Sequence, residues 1–250
     1  MSLSNVIGAN QINEDKLLAK YPAYFAEKYV FSKQVRQSRR NDKRRFHIFD
    51  YQIDLINEYK ENTCTYVPKA RQMGITLANA AYAMWHMVYN EDTRIKVCSP
   101  KLNMSEKYID YIKQCIFRVK NINVSHVNRS HIRLSNGSEL SVINRDMLLN
   151  NLNKAMHGFS NNVLILDEIT DISKIVNFVD TSFPSVEKLI VTFTPRGDTC
   201  LNIDLDKYGS VVSIPYSEHP KRDISWIKDK ESIMGKEQTK WEYNLGNSYN

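Results

Sequence analysis

A short polar loop has the composition of a phosphate-binding site. It covers residues 69–76, reads KARQMGIT, and leads directly from an apolar segment into a helical pattern. In a phosphate loop, backbone amides surround a phosphate at a helix N-terminus, a cation neutralises it, and a hydroxyl binds Mg²⁺. Gly74 permits the tight turn, Thr76 supplies the hydroxyl, and Lys69 and Arg71 supply charge from the front of the loop. The consensus phosphate loop reads GxxxxGK(S/T), and Lys69 stands in place of its first glycine. A plain strand-to-helix turn without a bound phosphate is therefore the alternative interpretation of this segment.

Two acids follow a second apolar segment. Residues 163–166 read VLIL, and Asp167 and Glu168 come directly after them. An Asp that leaves a buried strand beside a phosphate loop is placed to hold Mg²⁺, and an adjacent Glu can activate an attacking water as a general base. Alternatively, both acids cap a helix predicted at residues 170–178. Combined with the loop, the pair favours nucleotide hydrolysis.

Two further segments gain their meaning from their positions. Residues 192–197 (TFTPRG) close another apolar segment, and their hydroxyls are placed to sense a terminal phosphate through water. A simple Pro-Gly turn explains the same residues equally well. Tyr51 and Gln52 begin the helix that precedes the loop. A glutamine amide can donate to and accept from one adenine edge, which would give base selectivity.

The elements that must position these residues alternate between strands and helices. The predicted strands are residues 64–67, 94–98, 163–166, 189–193 and 211–214, and the predicted helices are residues 49–62, 75–88 and 103–119. Strands that are apolar on both faces and separated by helices indicate a mainly parallel sheet covered on both sides. A hairpin is predicted around Asn136-Gly137. Ligands bind such sheets at the carboxyl ends of the strands, where the polar motifs lie.

The net charge of +6 is concentrated in one segment. Residues 28–45 contain eight basic residues and one acid, so the rest of the chain is nearly neutral. A basic arm suggests nucleic acid, an acidic partner or an anionic membrane surface, and a solvated surface is the alternative. Residues 1–45 are otherwise polar, mostly helical in pattern and poor in core-forming residues.

Composition and missing motifs exclude several classes of protein. The 42% of hydrophobic and 25% of charged residues are typical of a globular chain, which excludes disorder throughout. No apolar stretch approaches the roughly 20 residues of a membrane span, and residues 1–10 lack a signal-peptide pattern. The four cysteines and six histidines are scattered, which argues against a disulfide framework or a zinc site. Neither an acyl-transfer GxSxG motif nor a dinucleotide-binding GxGxxG motif is present.

In this order, the motifs resemble the ATPase domain of the large terminase subunit, the DNA-packaging motor of tailed bacteriophages. The matching segments are Tyr51-Gln52, residues 69–76, 164–168 and 192–197, and a His219-Pro220…Trp226 stretch, so the similarity extends from about Phe46 to Asn250. The resemblance implies an α/β fold of the P-loop NTPase class with an additional strand and a catalytic glutamate (RecA-like). Such a fold has a mainly parallel central sheet flanked by helices and a small helical lid subdomain.

The resemblance also implies how the chain is divided. Residues 1–45 form a basic, mostly helical N-terminal arm or part of the lid, residues 46–215 form the ATPase core, and residues 216–250 form a helical lid or linker. Large terminases also contain a nuclease domain, and no fold of that size fits in the remaining sequence. We therefore expect this chain to be the motor half of such a protein, either truncated or encoded as one piece of a split protein.

The resemblance assigns a role to each site residue. Arg71 lies over the phosphates, Glu168 is the catalytic base, and Asp167 holds Mg²⁺ together with Thr76. Gln52 reads adenine. The ATP-binding residues are Gln52, Lys69, Ala70, Arg71, Gln72, Met73, Gly74, Ile75 and Thr76, and the residues that couple hydrolysis to lid movement are Thr192, Thr194 and Pro195.

Two positions depart from the family pattern. Ile75 stands where some relatives have lysine, so the charge on the phosphates comes from the front of the loop alone. His157-Gly158 stands where relatives often have Arg-Gly, a position associated with an arginine finger that reaches the neighbouring subunit. His157, Lys154 and Arg145 are therefore the candidates for a finger that acts in trans.

The implied function is Mg²⁺-dependent ATP hydrolysis that powers the translocation of viral double-stranded DNA into the procapsid. The implied partners are the DNA, the portal protein, the procapsid and the small terminase subunit. No interaction with a membrane is expected. The chain is expected to be monomeric alone and to form a ring when active, in the cytoplasm of the infected bacterial host at the procapsid portal. Two alternatives are another P-loop DNA translocase or helicase-like ATPase, and a non-hydrolysing DNA-binding adaptor with a degenerate nucleotide site.

Overall fold

The computed structural model describes residues 14–31, 34–36, 43–45, 47–143, 162–169, 186–195 and 204–243. The helices are α1 (Glu14–Lys20), α2 (Pro22–Phe25), α3 (Asp50–Glu61), α4 (Ile75–Tyr89), α5 (Leu102–Cys115), α6 (Ile224–Met234) and α7 (Lys236–Tyr243), with a π-helix at Ala26–Phe31. The strands are β1 (Gln34–Arg36), β2 (Lys43–Arg45), β3 (Cys64–Pro68), β4 (Arg94–Cys98), β5 (Val124–Val127), β6 (His131–Leu134), β7 (Glu139–Ile143), β8 (Asn162–Leu166), β9 (Lys188–Phe193) and β10 (Ser210–Val211). Short 3₁₀ turns lie at Ile116–Arg118, Leu205–Lys207 and Tyr216–Glu218.

One mixed sheet organises the molecule. Among the described residues it has eight strands, in the order β10-β3-β9-β8-β4-β7-β6-β5. The strands from β10 to β7 run parallel, and β6 and β5 extend the sheet antiparallel at one edge. β9 lies between β3, which leads into the 69–76 loop, and β8, which leads to the two acids. The predicted mainly parallel sheet is therefore confirmed, and a strand is inserted between the two strands that carry the main motifs.

Both faces of the central strands β3, β8 and β9 are buried, as their apolar sequences predict. In β8, Val163 and Ile165 belong to the cluster that includes helices α3, α4 and α5, whereas Leu164 and Leu166 belong to a second cluster on the opposite face. This division follows from the alternation of side chains along a strand. Helix α4 is buried on nearly all sides, in agreement with its apolar composition.

The other predicted elements agree with the structure within a few residues, with one exception. The strand predicted at residues 211–214 is shorter, because β10 ends at Val211 and only one further bridge joins Ile214 to Lys69. The helix predicted at residues 170–178 lies outside the described residues. In the described part of the chain, no helix has the length and apolar character needed to cross a membrane.

The N-terminal helices belong to the main hydrophobic core, so the expectation that residues 1–45 are poor in core-forming residues is wrong for residues 14–31. Leu18, Phe25 and Phe31 are almost completely buried in that core. Trp85 of α4 donates a hydrogen bond from its indole nitrogen to the carbonyl oxygen of Leu18, at 3.0 Å. The apolar side chains form one face among many charged residues, so the average composition of the segment conceals them. Within the same segment, β1 and β2 pair as an antiparallel ribbon.

Helix α4 also buries a histidine, which predicts a pH-dependent stability. Burial lowers the pKa of His86 to about 4, with a smaller contribution from Lys188, and its Nδ1 atom lies 3.3 Å from the hydroxyl of Thr93. The unfolded chain binds the proton near pH 6.5, whereas the folded chain does not. The contribution of His86 to the free energy of unfolding is therefore fully present above about pH 6.5. It is lost as the pH falls towards about 4, which lowers that free energy by up to roughly 3 kcal/mol.

The measurement is the free energy of unfolding in urea across this pH range, for the natural chain and for His86→Gln. We expect the difference in the free energy of unfolding between the natural chain and His86→Gln to shrink or reverse as the pH falls, because the variant lacks the titrating group. His126→Gln removes an exposed histidine and serves as the control. Identical pH dependence in the natural chain and His86→Gln would contradict the assignment of this effect to His86.

Candidate nucleotide-binding site

The loop between β3 and α4 turns through two residues with left-handed backbone angles. Gln72 has a φ of 61° and Gly74 a φ of 73°. The positive φ favours glycine at position 74, and a Cβ atom there would lie 2.7 Å from Nε2 of Gln52, so a larger residue would also displace that side chain. Helix α4 begins at the next residue, and the first N–H groups of a helix have no partner within it. The loop thus has the form of an anion-binding concavity at a helix N-terminus.

The N-terminus of α3 is tied to this loop. Tyr51 donates its hydroxyl and Gln52 donates Nε2 to the carbonyl oxygen of Met73, at 2.8 Å and 3.1 Å. Oε1 of Gln52 accepts a hydrogen bond from the backbone N–H of Phe49, at 3.0 Å. The side chain of Gln52 is therefore engaged with protein atoms at both ends, although an amide retains one N–H and one lone pair. Its predicted contact with adenine stays a prediction.

Asp167 is a buried carboxylate that accepts three side-chain hydrogen bonds. The hydroxyls of Thr76 and Tyr108 donate to Oδ2 at 2.9 Å and 3.0 Å, and the hydroxyl of Thr192 donates to Oδ1 at 2.5 Å. The exposed fraction of Asp167 is 1%. The structure therefore brings Thr76 and Asp167 together, although they are 91 residues apart in sequence.

A buried polar chain supports Asp167 from behind. Asn79 donates Nδ2 to the hydroxyl of Tyr108 at 3.2 Å, and Tyr59 donates its hydroxyl to Oδ1 of Asn79 at 2.7 Å. Burial, followed by the nearby charge of Asp167, raises the pKa of both tyrosines far above the ordinary value. Both hydroxyls therefore remain protonated donors. Sequence reasoning missed this series of hydrogen-bonded side chains, and the only signal for it is an asparagine within the apolar pattern of α4.

Glu168 has an unusual backbone conformation and faces the loop. Its φ of 58° lies in the left-handed region, which is uncommon for residues other than glycine and is found disproportionately at functional sites. Its carboxylate forms an ion pair with Nζ of Lys69, whose side chain is almost fully buried. Its second oxygen lies 3.4 Å from the hydroxyl of Thr194, and its N–H donates to the hydroxyl of Thr192 at 3.4 Å. The two threonines thus contact both acids from the end of β9.

Arg71 of the loop pairs with α7. Its backbone N–H donates to the carbonyl oxygen of Glu242 at 3.0 Å, and its Nη2 lies 3.3 Å from Oε1 of the same residue. The guanidinium group is partly exposed, whereas Glu242 is buried. Its predicted position over the phosphates therefore stays a prediction.

Two clefts adjoin the loop. One of about 300 Å³ lies between the loop, the N-terminus of α3 and α5. The other, of about 450 Å³, lies in front of Glu168 and includes Arg71 and Thr194 in its wall. Gln72 lines both, so the two clefts adjoin the same loop.

The site offers a magnesium ion a carboxylate and a hydroxyl. These are Oδ2 of Asp167 and Oγ1 of Thr76, and Mg²⁺ bound with nucleotides commonly has one or two carboxylates, a Ser or Thr hydroxyl, phosphate oxygens and water as ligands. The described residues contain no cluster of three or more His, Cys, Asp or Glu side chains that could hold a metal ion. The residues present thus fit an ion whose remaining ligands come from phosphate and water.

Several predicted residues lie outside the described part of the chain. These include the three candidates for a finger in trans, His157, Lys154 and Arg145, and the last two residues of the 192–197 segment. Pro195 is described directly after Thr194, beyond the end of β9.

The strand order, the loop before α4 and the acids after β8 define a RecA-like P-loop α/β fold. No family model matches the sequence. Among solved structures, the chain is similar to the large terminase ATPase domain of Thermus phage P74-26, with a TM-score of 0.63 and 13% identity over 82% of this chain and 95% of that one.

Two further large terminases are also similar. The protein of a thermophilic bacteriophage, solved in complex with ATP-gamma-S, has a TM-score of 0.58 and 9% identity over 79% of this chain and 52% of that one. The HK97 bacteriophage protein has a TM-score of 0.54 and 16% identity over 83% of this chain and 45% of that one. The chain thus spans about half the length of these two proteins. The predicted fold class and the resemblance to terminase ATPase domains are confirmed at the level of the fold.

Proposed function

We propose that this chain is the ATPase domain of a phage DNA-packaging motor, and that it hydrolyses ATP to translocate double-stranded DNA. The observation that carries the proposal is the convergence of Lys69, Thr76 and the Asp167-Glu168 pair at the carboxyl edge of the sheet. That constellation supplies a cation, a metal-binding pair and a general base within one fold. The fold neighbours support the same conclusion, since they are large terminases and one was solved with a bound ATP analogue.

In this proposal, the loop binds the phosphates and the cleft beside α3 binds the base. The N–H groups at the start of α4 face the phosphates, and Lys69 and Arg71 neutralise their charge. The 300 Å³ cleft contains the aromatic side chain of Phe49, whose ring centre lies 4.9 Å from that of His219. These rings offer a stacking surface for a purine, and Gln52 lies at the same wall. The ATP-binding set is then Gln52 together with residues 69–76.

The proposed chemistry divides between the two acids. Asp167 and Thr76 hold Mg²⁺, which when bound neutralises charge on the phosphates. Glu168 accepts a proton from the water that attacks the terminal phosphate, and this water enters from the 450 Å³ cleft. Thr192 binds the side chain of Asp167 and the backbone of Glu168, so a shift at the end of β9 would alter both acids. This arrangement supports a coupling role for Thr192, Thr194 and Pro195.

The proposal extends to the assembly. Subunits form a ring on double-stranded DNA at the portal of the procapsid, in the cytoplasm of the infected host, with the small terminase subunit as a further partner. A residue of the 145–157 segment completes the neighbouring site in trans. The support for this part is the similarity of the fold to large terminases.

We expect the purified chain to hydrolyse ATP in the presence of Mg²⁺, and Arg71→Ala to lower kcat/KM by at least about tenfold. This loss corresponds to about 1.4 kcal/mol of transition-state stabilisation, a modest value for a cation that faces phosphate. The rate of phosphate release, measured against ATP concentration with and without DNA, gives kcat and KM for each variant. Arg133→Ala removes an exposed arginine of β6 and should be as active as the natural chain.

Two outcomes would change this interpretation. Binding of ATP without hydrolysis, even with DNA present and at protein concentrations at which the chain self-associates, would favour the non-hydrolysing adaptor. Full activity of Arg71→Ala would instead transfer the neutralising role to Lys69 alone. Because Arg71 also pairs with Glu242, the melting temperature of each variant must be recorded, to separate lost activity from lost folding.

A further inference from the structure

The segment after β10 contacts the phosphate loop through one arginine. Arg222 donates Nη1 to the carbonyl oxygen of Arg71 and Nη2 to the carbonyl oxygen of Gln72, each at 2.9 Å. Its Nη1 also lies 3.3 Å from the sulfur of Met73. Two successive carbonyl groups of the loop thus bind one rigid guanidinium fork.

The position of this guanidinium group is set by aromatic packing. Its central carbon lies 4.6 Å from the centre of the Trp226 ring in α6, within the range of a cation–π contact. The Trp226 ring packs in turn against Tyr216 and against Tyr243 of α7, at centre-to-centre distances of 6.0 Å and 5.1 Å. Burial lowers the pKa of Arg222, but an arginine remains charged in proteins. The donors therefore have a fixed direction towards the loop.

The next carbonyl group of the loop is also held from outside. The oxygen of Met73 accepts hydrogen bonds from Tyr51 and Gln52. Three successive carbonyl groups, those of residues 71–73, therefore accept from side chains that lie outside the loop. In a trans peptide, the carbonyl group and the N–H group of the next residue point in opposite directions, so holding the carbonyl groups of residues 71–73 outward directs the N–H groups of residues 72–74 to the other side of the turn.

The sequence of the loop explains why such support is needed. Consensus phosphate loops begin with a glycine, whereas this loop has Lys69 in that position. The left-handed conformation falls on Gln72, where a residue with a side chain adopts it unfavourably. The hydrogen bond from Arg222 to the carbonyl oxygen of Gln72 acts directly on that peptide.

We propose that Arg222 is a positioning residue that holds the phosphate loop in its binding conformation and links α6 to nucleotide affinity. This inference rests on the proposed function, because it assumes that the loop binds phosphate. It predicts that Arg222 acts on any ligand that occupies the loop and not on a ligand that occupies only the base cleft. It also predicts that charge alone does not replace the guanidinium fork, since one ammonium group cannot hold two separate carbonyl groups in the same planar geometry.

The test compares Arg222→Ala and Arg222→Lys with Lys221→Ala, which removes the adjacent exposed cation. Dissociation constants for ATP, pyrophosphate and adenosine are measured by calorimetry with Mg²⁺, under conditions without turnover for ATP. We expect Arg222→Ala to weaken ATP and pyrophosphate by about tenfold or more, and to leave adenosine unchanged. Arg222→Lys should be closer to Arg222→Ala than to the natural chain, and Lys221→Ala should bind all three ligands normally.

The possible failures are distinguishable. If the natural chain binds neither ATP nor pyrophosphate, the proposed function fails and the inference fails with it. If the natural chain binds both and Arg222→Ala binds them equally well, only the role of Arg222 is overturned. Full affinity of Arg222→Lys would show that charge, not the fork, is what matters. If Arg222→Ala does not fold, Arg222→Lys decides the question on its own, provided that its melting temperature matches that of the natural chain.

Discussion

Replacing Glu168 with glutamine is expected to lower ATP hydrolysis by at least about a hundredfold while ATP binding persists. A neutral amide cannot take the proton of the attacking water, and general-base catalysis by a positioned side chain contributes about 10²- to 10⁴-fold. The change keeps the size of the side chain, and its oxygen can still accept a hydrogen bond from Lys69. Steady-state phosphate release and the dissociation constant for ATP measure the two properties separately.

Glu91→Gln is the matched control, because it makes the same chemical change at an exposed position. Its turnover should equal that of the natural chain. If Glu168→Gln hydrolysed ATP at the natural rate, another group would have to act as the base. If it lost ATP binding as well, the ion pair with Lys69 would be the more important role of this carboxylate. A melting temperature close to that of the natural chain is required for either interpretation.

The scaffold of the site could be predicted because its signals are local. The VLIL segment before Asp167 is apolar at every position, as a strand buried on both faces must be, and the structure confirms that strand. Gly74 and Thr76 indicated a tight turn into a helix, and both the turn and α4 are observed. The insertion of β9 between β3 and β8 is not a local signal. It followed from the resemblance and not from periodicity.

The supports around the site could not be predicted, because their partners are distant or belong to the backbone. Tyr108 lies on the apolar face of α5, where an aromatic residue indicates core packing and not a hydrogen bond to a carboxylate. Arg222 binds carbonyl oxygens, which every residue carries, so no residue type marks its partner. The N-terminal helices were misjudged for a related reason, since average composition does not reveal the face that Phe25 and Leu18 form.

Asp167→Asn is expected to abolish the gain in ATP affinity that Mg²⁺ provides, and to lower hydrolysis by at least about a hundredfold. A neutral amide is a much weaker ligand for a hard cation than a carboxylate. In this structure, Oδ2 of Asp167 and the hydroxyl of Thr76 form the pair that fits the ion. The affinity of the variant with Mg²⁺ should therefore equal its affinity with a chelator present, whereas the two affinities of the natural chain should differ.

The fold should survive this change, so the result can be interpreted. Three hydroxyl donors face the carboxylate of Asp167, and an amide would direct two N–H groups towards some of them. Hydroxyls can rotate and accept instead, so we expect a loss of about 1–3 kcal/mol in the free energy of unfolding and not a failure to fold. Asp110→Asn, at an exposed position of α5, is the control for both measurements. If Asp167→Asn kept the full Mg²⁺-dependent gain in affinity, the buried carboxylate would be a structural acceptor for Thr76, Tyr108 and Thr192, and the metal ligand would lie elsewhere.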